Sequence, residues 1–178
     1  NNTFLHAFCD EDYARAYAEK WANSRVIYIK GGTDTLMNMT ESDISVKIKG
    51  KGADLQAYNI NGNNYYRIRD IAAALRDTEA QFNVHYNAQE NCVMLTGGEP
   101  YALSGDRVQT KPDISEAMAV PSATALFLNG SEIEAAAFYI NGNNYYKLRD
   151  IAAAADFGVS YDNISRTIHI DTMSGYIE

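Results

Sequence analysis

From residue 44 onward the chain alternates between two hydrophobic periods. Ile44, Val46 and Ile48 alternate with Ser45 and Lys47, the period of two that marks a half-buried strand. Lys49-Gly50-Lys51-Gly52 reads as a turn, Leu55 to Ile60 as a second strand, and Asn61-Gly62 as a hairpin turn, because both residues tolerate positive φ. Tyr65-Tyr66 continue the return strand. At Arg67 the period changes: Ile68, Ile71, Ala72 and Leu75 fall at i, i+3, i+4 and i+7, one face of a helix. Phe82, Val84 and Tyr86 alternate again, Asn87 to Asn91 turn the chain, and Cys92 to Leu95 form a last strand.

The same succession then returns. INGNNYYRIRDIAAA (Ile60 to Ala74) recurs as INGNNYYKLRDIAAA (Ile140 to Ala154), identical at 13 of 15 positions and 80 residues further on. Gly50 matches Gly130 and Asp54 matches Glu134. Leu126 and Leu128, the Asn129-Gly130 turn, Ala135 to Ile140, the Asn141-Gly142 turn and a stripe of Leu148, Ile151, Ala152 and Ala155 retrace the first pass. Phe157 to Tyr161 match Phe82 to Tyr86 at an offset of 75, so five residues after the first helix have no counterpart, and Thr167 to Ile170 close the unit. One supersecondary unit is used twice. The expectation is an α+β protein of two tandem β-β-α-β-β units, each a small antiparallel sheet against one helix, at residues 42–98 and 122–178. Such units sit near the lower limit for independent folding, so they should pack on each other or on the N-terminal segment. Residues 99–121, with Pro100, Pro112 and Pro121, read as a linker that Tyr101 and Leu103 partly order. Residues 1–41 find no counterpart. There, Asp10 to Ala22 reads as a helix with Asp10 as N-cap and Tyr13, Tyr17 and Trp21 on its apolar face, followed by a strand at Arg25 to Ile29 and a break at Gly31-Gly32.

Composition changes this picture little. With 46% apolar and 21% charged residues the chain is globular. A net charge of −8 without any Lys/Arg stripe argues against nucleic acid. No apolar run approaches the roughly 18 residues that span a bilayer. The chain opens on Asn1 without a basic or apolar leader, which we read as a mature or trimmed product. Cys9 and Cys92 lie outside any CxxC pattern, and a buried free thiol is the simpler expectation than a disulfide.

The run Gly-Asn-Asn-Tyr-Tyr, then Lys-Leu-Arg-Asp-Ile-Ala-Ala, then Phe-x-Val-x-Tyr and a β-rich close resembles the copper amine oxidase N-terminal-like domain, or stalk domain. The resemblance covers residues 42–97 and 122–172, about three-fifths of the chain. Asn141 to Ala154 and the Pro100-Tyr101 step are similar to tandem copies in secreted and wall-associated proteins of Gram-positive bacteria. It implies an accessory, non-catalytic, extracytoplasmic module. Amine oxidase chemistry belongs to a different domain, with a quinone formed from Tyr in an Asn-Tyr-Asp/Glu context and three histidine copper ligands. Here Asn64-Tyr65 and Asn144-Tyr145 are followed by Tyr66 and Tyr146, and the histidines His6, His85 and His169 are not repeated, so no cofactor or metal is expected.

Candidate chemistry is sparse. Arg69-Asp70 and Arg149-Asp150 read as structural: Asp favours the positive end of a helix and Arg can bond turn carbonyls. Acids at Asp10, Glu11 and Asp12, or at Glu132 and Glu134, have no tie to a cleft, and no nucleophile elbow, P-loop or dinucleotide fingerprint occurs. Turn chemistry explains the sequons at Asn38, Asn129 and Asn163. The tyrosine pairs Tyr65-Tyr66 and Tyr145-Tyr146 are the candidate ligand-binding residues. Adjacent strand residues face opposite ways, so one of each pair should be core and the other exposed, available to stack on a sugar face. The expected function is a non-enzymatic spacer, attachment or binding module at the bacterial cell surface, with cell-wall polysaccharide or another surface protein as partner. The alternatives are a glycan-binding module using exposed tyrosines and a non-catalytic part of a larger secreted enzyme.

Overall fold

A computed structural model describes the backbone of residues 25–27 and residues 37–102 and 119–177. The expected helix at 10–22, the Gly31-Gly32 break, Cys9, His6 and Leu103 lie outside the described residues. The mixed α+β class stands: among the described residues strands dominate, with two short helices.

In the first repeat the strands are β2 (Met37–Glu41), β3 (Ser45–Ile48), β4 (Lys51–Ala53), β5 (Ala57–Ile60) and β6 (Asn63–Arg67), then helix α1 (Ile68–Leu75), β7 (Phe82–Asn87) and β8 (Cys92–Gly97). The second runs β9 (Ala119–Pro121), β10 (Ala125–Leu128), β11 (Ser131–Ile133), β12 (Ala137–Ile140), β13 (Asn143–Lys147), α2 (Leu148–Ala155), β14 (Gly158–Asp162) and β15 (Thr167–Asp171). A further strand, β1 (Arg25–Ile27), lies upstream. Each repeat therefore has more strands than β-β-α-β-β. Lys49-Gly50 alone makes the first turn, with φ of 49° and 78°, and Lys51 already belongs to a strand. Both residues at positive φ give the mirror-image turn whose twist matches that of a hairpin. Asn61-Gly62 and Asn141-Gly142 repeat it.

The sheets differ from expectation in a second way. β1-β2-β5-β6-β13-β12-β9 form one seven-stranded antiparallel sheet, and β6 pairs with β13 so that Tyr66 stands opposite Tyr146. The two repeats thus meet about a pseudo-twofold axis at this pair. Two four-stranded sheets complete the body, and each takes strands from both repeats. β10 runs parallel to β8 with Leu126 opposite Val93, and β15 runs parallel to β3 with Ile168 opposite Val46. Each repeat sends its last strand to complete the other's sheet. The pairing also crosses the boundary expected at 41/42. β2 adds to β5 as β9 adds to β12, and Ser42 and Ser122 each donate a backbone N–H to the carbonyl of Ala57 and Ala137.

An eight-residue helix is marginal alone. Here Ile68, Ile71, Ala72 and Leu75 of α1, and Leu148, Ile151 and Ala152 of α2, are buried in one core with Tyr66, Tyr146, Phe82 and Phe157 and the inner residues of both four-stranded sheets. The opposite face of the seven-stranded sheet buries a second cluster of Met39, Tyr58, Ile60, Tyr65, Ala119, Phe138, Ile140 and Tyr145.

The five residues unique to the first repeat make a latch. Within them Glu79 accepts hydrogen bonds from Lys49 Nζ (2.5 Å) and Thr172 Oγ1 (2.7 Å), tying the β3–β4 hairpin and the C-terminal segment to the loop after α1. These bonds hold the Glu79 carboxyl down at about 2.

Candidate functional site

The tyrosine pairs do not offer the expected exposed rings. Tyr65, Tyr66, Tyr145 and Tyr146 are all buried. Alternation holds, since Tyr66 and Tyr146 enter the helix-side core and Tyr65 and Tyr145 the other, but both faces of the sheet are covered. Alternation leaves one ring of a pair exposed only where one face of the sheet is wet, and at these four positions neither face is. On the second face Tyr58 packs on Tyr145 with ring centroids 5.3 Å apart, and the pseudo-equivalent Phe138 packs edge-on against Tyr65 at 4.9 Å. Lys147 Nζ stands 5.9 Å from the Tyr65 ring centroid. At the matching place Arg67 is buried and pairs with Asp70. Burial opposes the Arg67 charge, but the Asp70 carboxylate outweighs this and raises its pKa. Asp70, in the first turn of its helix, thus serves an ion pair with Arg67.

Burial raises the phenol pKa of Tyr66, and that of Tyr146 to about 12. Neither hydroxyl has a protein hydrogen-bond partner. Tyr65 is likewise raised by burial, with the Asp150 charge adding to it, and Tyr145 is raised by burial against the opposing charge of Arg67.

What the structure does form is a groove of about 380 Å³ on the helix side of the sheet. Its floor follows β6 outward from Tyr66 through Asn64 and Asn63 to Gly62, with Asn59 alongside. Its far wall is the start of α2, at Leu148 and Arg149, with Val159, Tyr161 and Ile168 of the β14–β15 hairpin. Asn59 Oδ1 accepts from the Gly62 N–H at 3.1 Å, and its Nδ2 donates to Asn64 Oδ1 at 2.9 Å. The amide chain is fixed from the turn inward. Arg149 is exposed, and Tyr161 presents 42% of its surface to solvent. Among the described residues, the lining contains no Asp, Glu, His, Ser or Cys. A surface of fixed amides, an open phenol ring and a guanidinium can stack on and hydrogen-bond a polyhydroxylated ligand.

Tyr161 was not among the tyrosines singled out from sequence. A signal existed: Phe157-x-Val159-x-Tyr161 repeats Phe82-x-Val84-x-Tyr86. In the first copy the face runs from buried Phe82 through half-buried Val84 to exposed Tyr86, because the strand outruns the helix that covers its start. Among the described residues no cluster of His, Cys, Asp and Glu could hold a metal ion, and His85 and His169 lie on strands of different sheets. Cys92 is a buried free thiol. Among the described residues no helix is long and apolar enough to cross a membrane. No family model, curated protein or solved structure matches the chain.

Proposed function

We propose that this chain is a non-catalytic binding module that attaches to polysaccharide at the extracytoplasmic face of a bacterial cell. The observation that carries the reading is the groove between β6, the start of α2 and the β14–β15 hairpin, where Tyr161, Arg149 and the linked amides of Asn59 and Asn64 converge. The resemblance to stalk domains supports the cell-surface setting and the accessory role. The ligand-binding role expected of Tyr65, Tyr66, Tyr145 and Tyr146 passes to exposed aromatic side chains, with Tyr66 kept as part of the groove floor.

The test is a pull-down of the purified protein on insoluble peptidoglycan and a panel of linear polysaccharides, beside a Tyr161→Ala/Arg149→Ala variant. Both side chains are exposed, so the variant should unfold at the same urea concentration as the parent. Retention that the variant weakens supports the reading. No retention on any polymer would sink it and leave a spacer that acts through protein partners.

A further inference from the structure

We propose that the module is bivalent: a second polysaccharide site, built from Tyr86, Tyr139, Arg69 and Asn144, lies at the pseudo-twofold counterpart of the groove. The proposal rests on the groove reading above and extends it.

The equivalence is carried by strand register. Tyr161 stands opposite Ile168 on the β14–β15 hairpin, and Tyr86 stands opposite Val93 on β7–β8. Ile168 pairs with Val46 across the parallel junction, and Val93 pairs with Leu126 in the same way. Along the floor, Gly142, Asn143, Asn144 and Tyr146 take the places of Gly62, Asn63, Asn64 and Tyr66, and Arg69 takes the place of Arg149 at the helix start. The Asn144 carboxamide is fixed too, its Oδ1 accepting from Ser122 Oγ at 2.7 Å.

One replacement makes the second surface richer in aromatic area. Tyr139 stands where the first has Asn59, opposite Asn144 and therefore on the same face of the sheet. It is 46% exposed, and Tyr86 is 44% exposed. The Tyr86 hydroxyl bonds Asn91 Oδ1 at 3.1 Å, which fixes its ring. Two open rings, Tyr86 on a four-stranded sheet and Tyr139 on the seven-stranded one, and a held amide form a platform of the kind that stacks on pyranose faces.

The two surfaces lie on the same face of the sheet and run toward opposite ends of it, because β6 and β13 are antiparallel about the Tyr66–Tyr146 pair. Gly62 and Gly142 each lie four residues from that pair on opposite sides. At a strand rise of about 3.3 Å per residue their turns are about 26 Å apart along the sheet. Sites whose outer ends lie this far apart engage two segments of polymer, not one short oligosaccharide. The expected consequence is avidity on a polymer surface and bridging of soluble glycan strands.

The experiment uses the full chain with sonicated, solubilised peptidoglycan strands as probe. Light scattering reads bridging, and retention on insoluble peptidoglycan reads binding. The variants are Tyr161→Ala, Tyr86→Ala/Tyr139→Ala and the triple substitution, each checked for an unchanged urea midpoint. Bivalency predicts that either partial variant abolishes bridging and weakens retention on the order of 10²-fold, while keeping residual binding that only the triple variant loses. If Tyr86→Ala/Tyr139→Ala retains and bridges as the parent does, the second site is overturned and the groove reading survives. If the parent binds nothing, or the triple variant binds as the parent does, both fall.

Discussion

Tyr66 and Tyr146 face each other across the centre of the molecule, and each buries a hydroxyl without a protein partner. Replacing either with Phe should therefore stabilise the fold. Burying an unbonded hydroxyl costs about 1–3 kcal/mol on the scale of protein substitutions. Its removal leaves at most a water-sized void of about 10–15 Å³. At about 24 cal/mol per Å³ that void costs about 0.3 kcal/mol. The balance is a gain of about 1 kcal/mol or more for Tyr66→Phe and the same for Tyr146→Phe. The assay is urea unfolding, where a higher midpoint at unchanged slope reports stability alone. In a thermal scan of a chain this long the same gain raises the Tm by about 2–4 °C. The two rings are cross-strand neighbours, so the double variant need not be additive, and its departure from the sum measures their coupling. A loss of more than about 0.5 kcal/mol in both single variants would refute the reasoning. That sign would mean each hydroxyl makes a bond worth keeping, through water reaching it from the groove side.

Three further outcomes are expected. Stability should fall as pH rises from about 10, the ordinary phenol pKa, and through about 12, because the unfolded chain ionises tyrosines that the fold keeps neutral; Tyr146→Phe should flatten that fall in an alkaline series of urea midpoints. Glu79 works with the opposite sign: its depressed pKa contributes stability that is present above its ordinary value near 4.5 and lost as pH falls to about 2. The difference in urea midpoint between the parent and Glu79→Gln should therefore close across that window. Finally, Ile71→Ala in α1 and Ile151→Ala in α2, both fully buried, should each cost about 2–5 kcal/mol, and unfolding should remain one transition by circular dichroism and tyrosine fluorescence alike.

Local pattern made much of this architecture legible. The hairpin turn at Asn61-Gly62, the switch to helical period at Ile68 and the alternation of Phe82, Val84 and Tyr86 each depend on residues within one turn or one strand, and each is where the sequence places it. The fate of Tyr65 was not legible, because whether an outward strand face meets water depends on what covers it, and the covered second face is a property of the whole sheet. The helix-side groove was missed for a related reason. Tyr161 and Asn59 lie 102 residues apart in the chain, and only the parallel pairing of β15 with β3 brings the β14–β15 hairpin beside β6.

That exchange of strands decides how the repeat should be understood. In an ordinary tandem array each copy buries its own core and a cut between copies yields two folded pieces. Here β8 without β10, or β3 without β15, would expose an unpaired parallel edge and open the shared core around Tyr66 and Tyr146. A protease site introduced between Tyr101 and Ala119 tests this directly. After cleavage the two pieces should co-elute on size exclusion and separate only in denaturant, because the three strand pairings between the repeats, β6–β13, β8–β10 and β3–β15, remain intact without the covalent link. Pieces that separate in native buffer would show that each repeat holds its own core. Co-elution would tie the geometry of the two proposed sites to the pairing itself, since the axis that relates Tyr161 to Tyr86 exists only while the repeats remain interlocked.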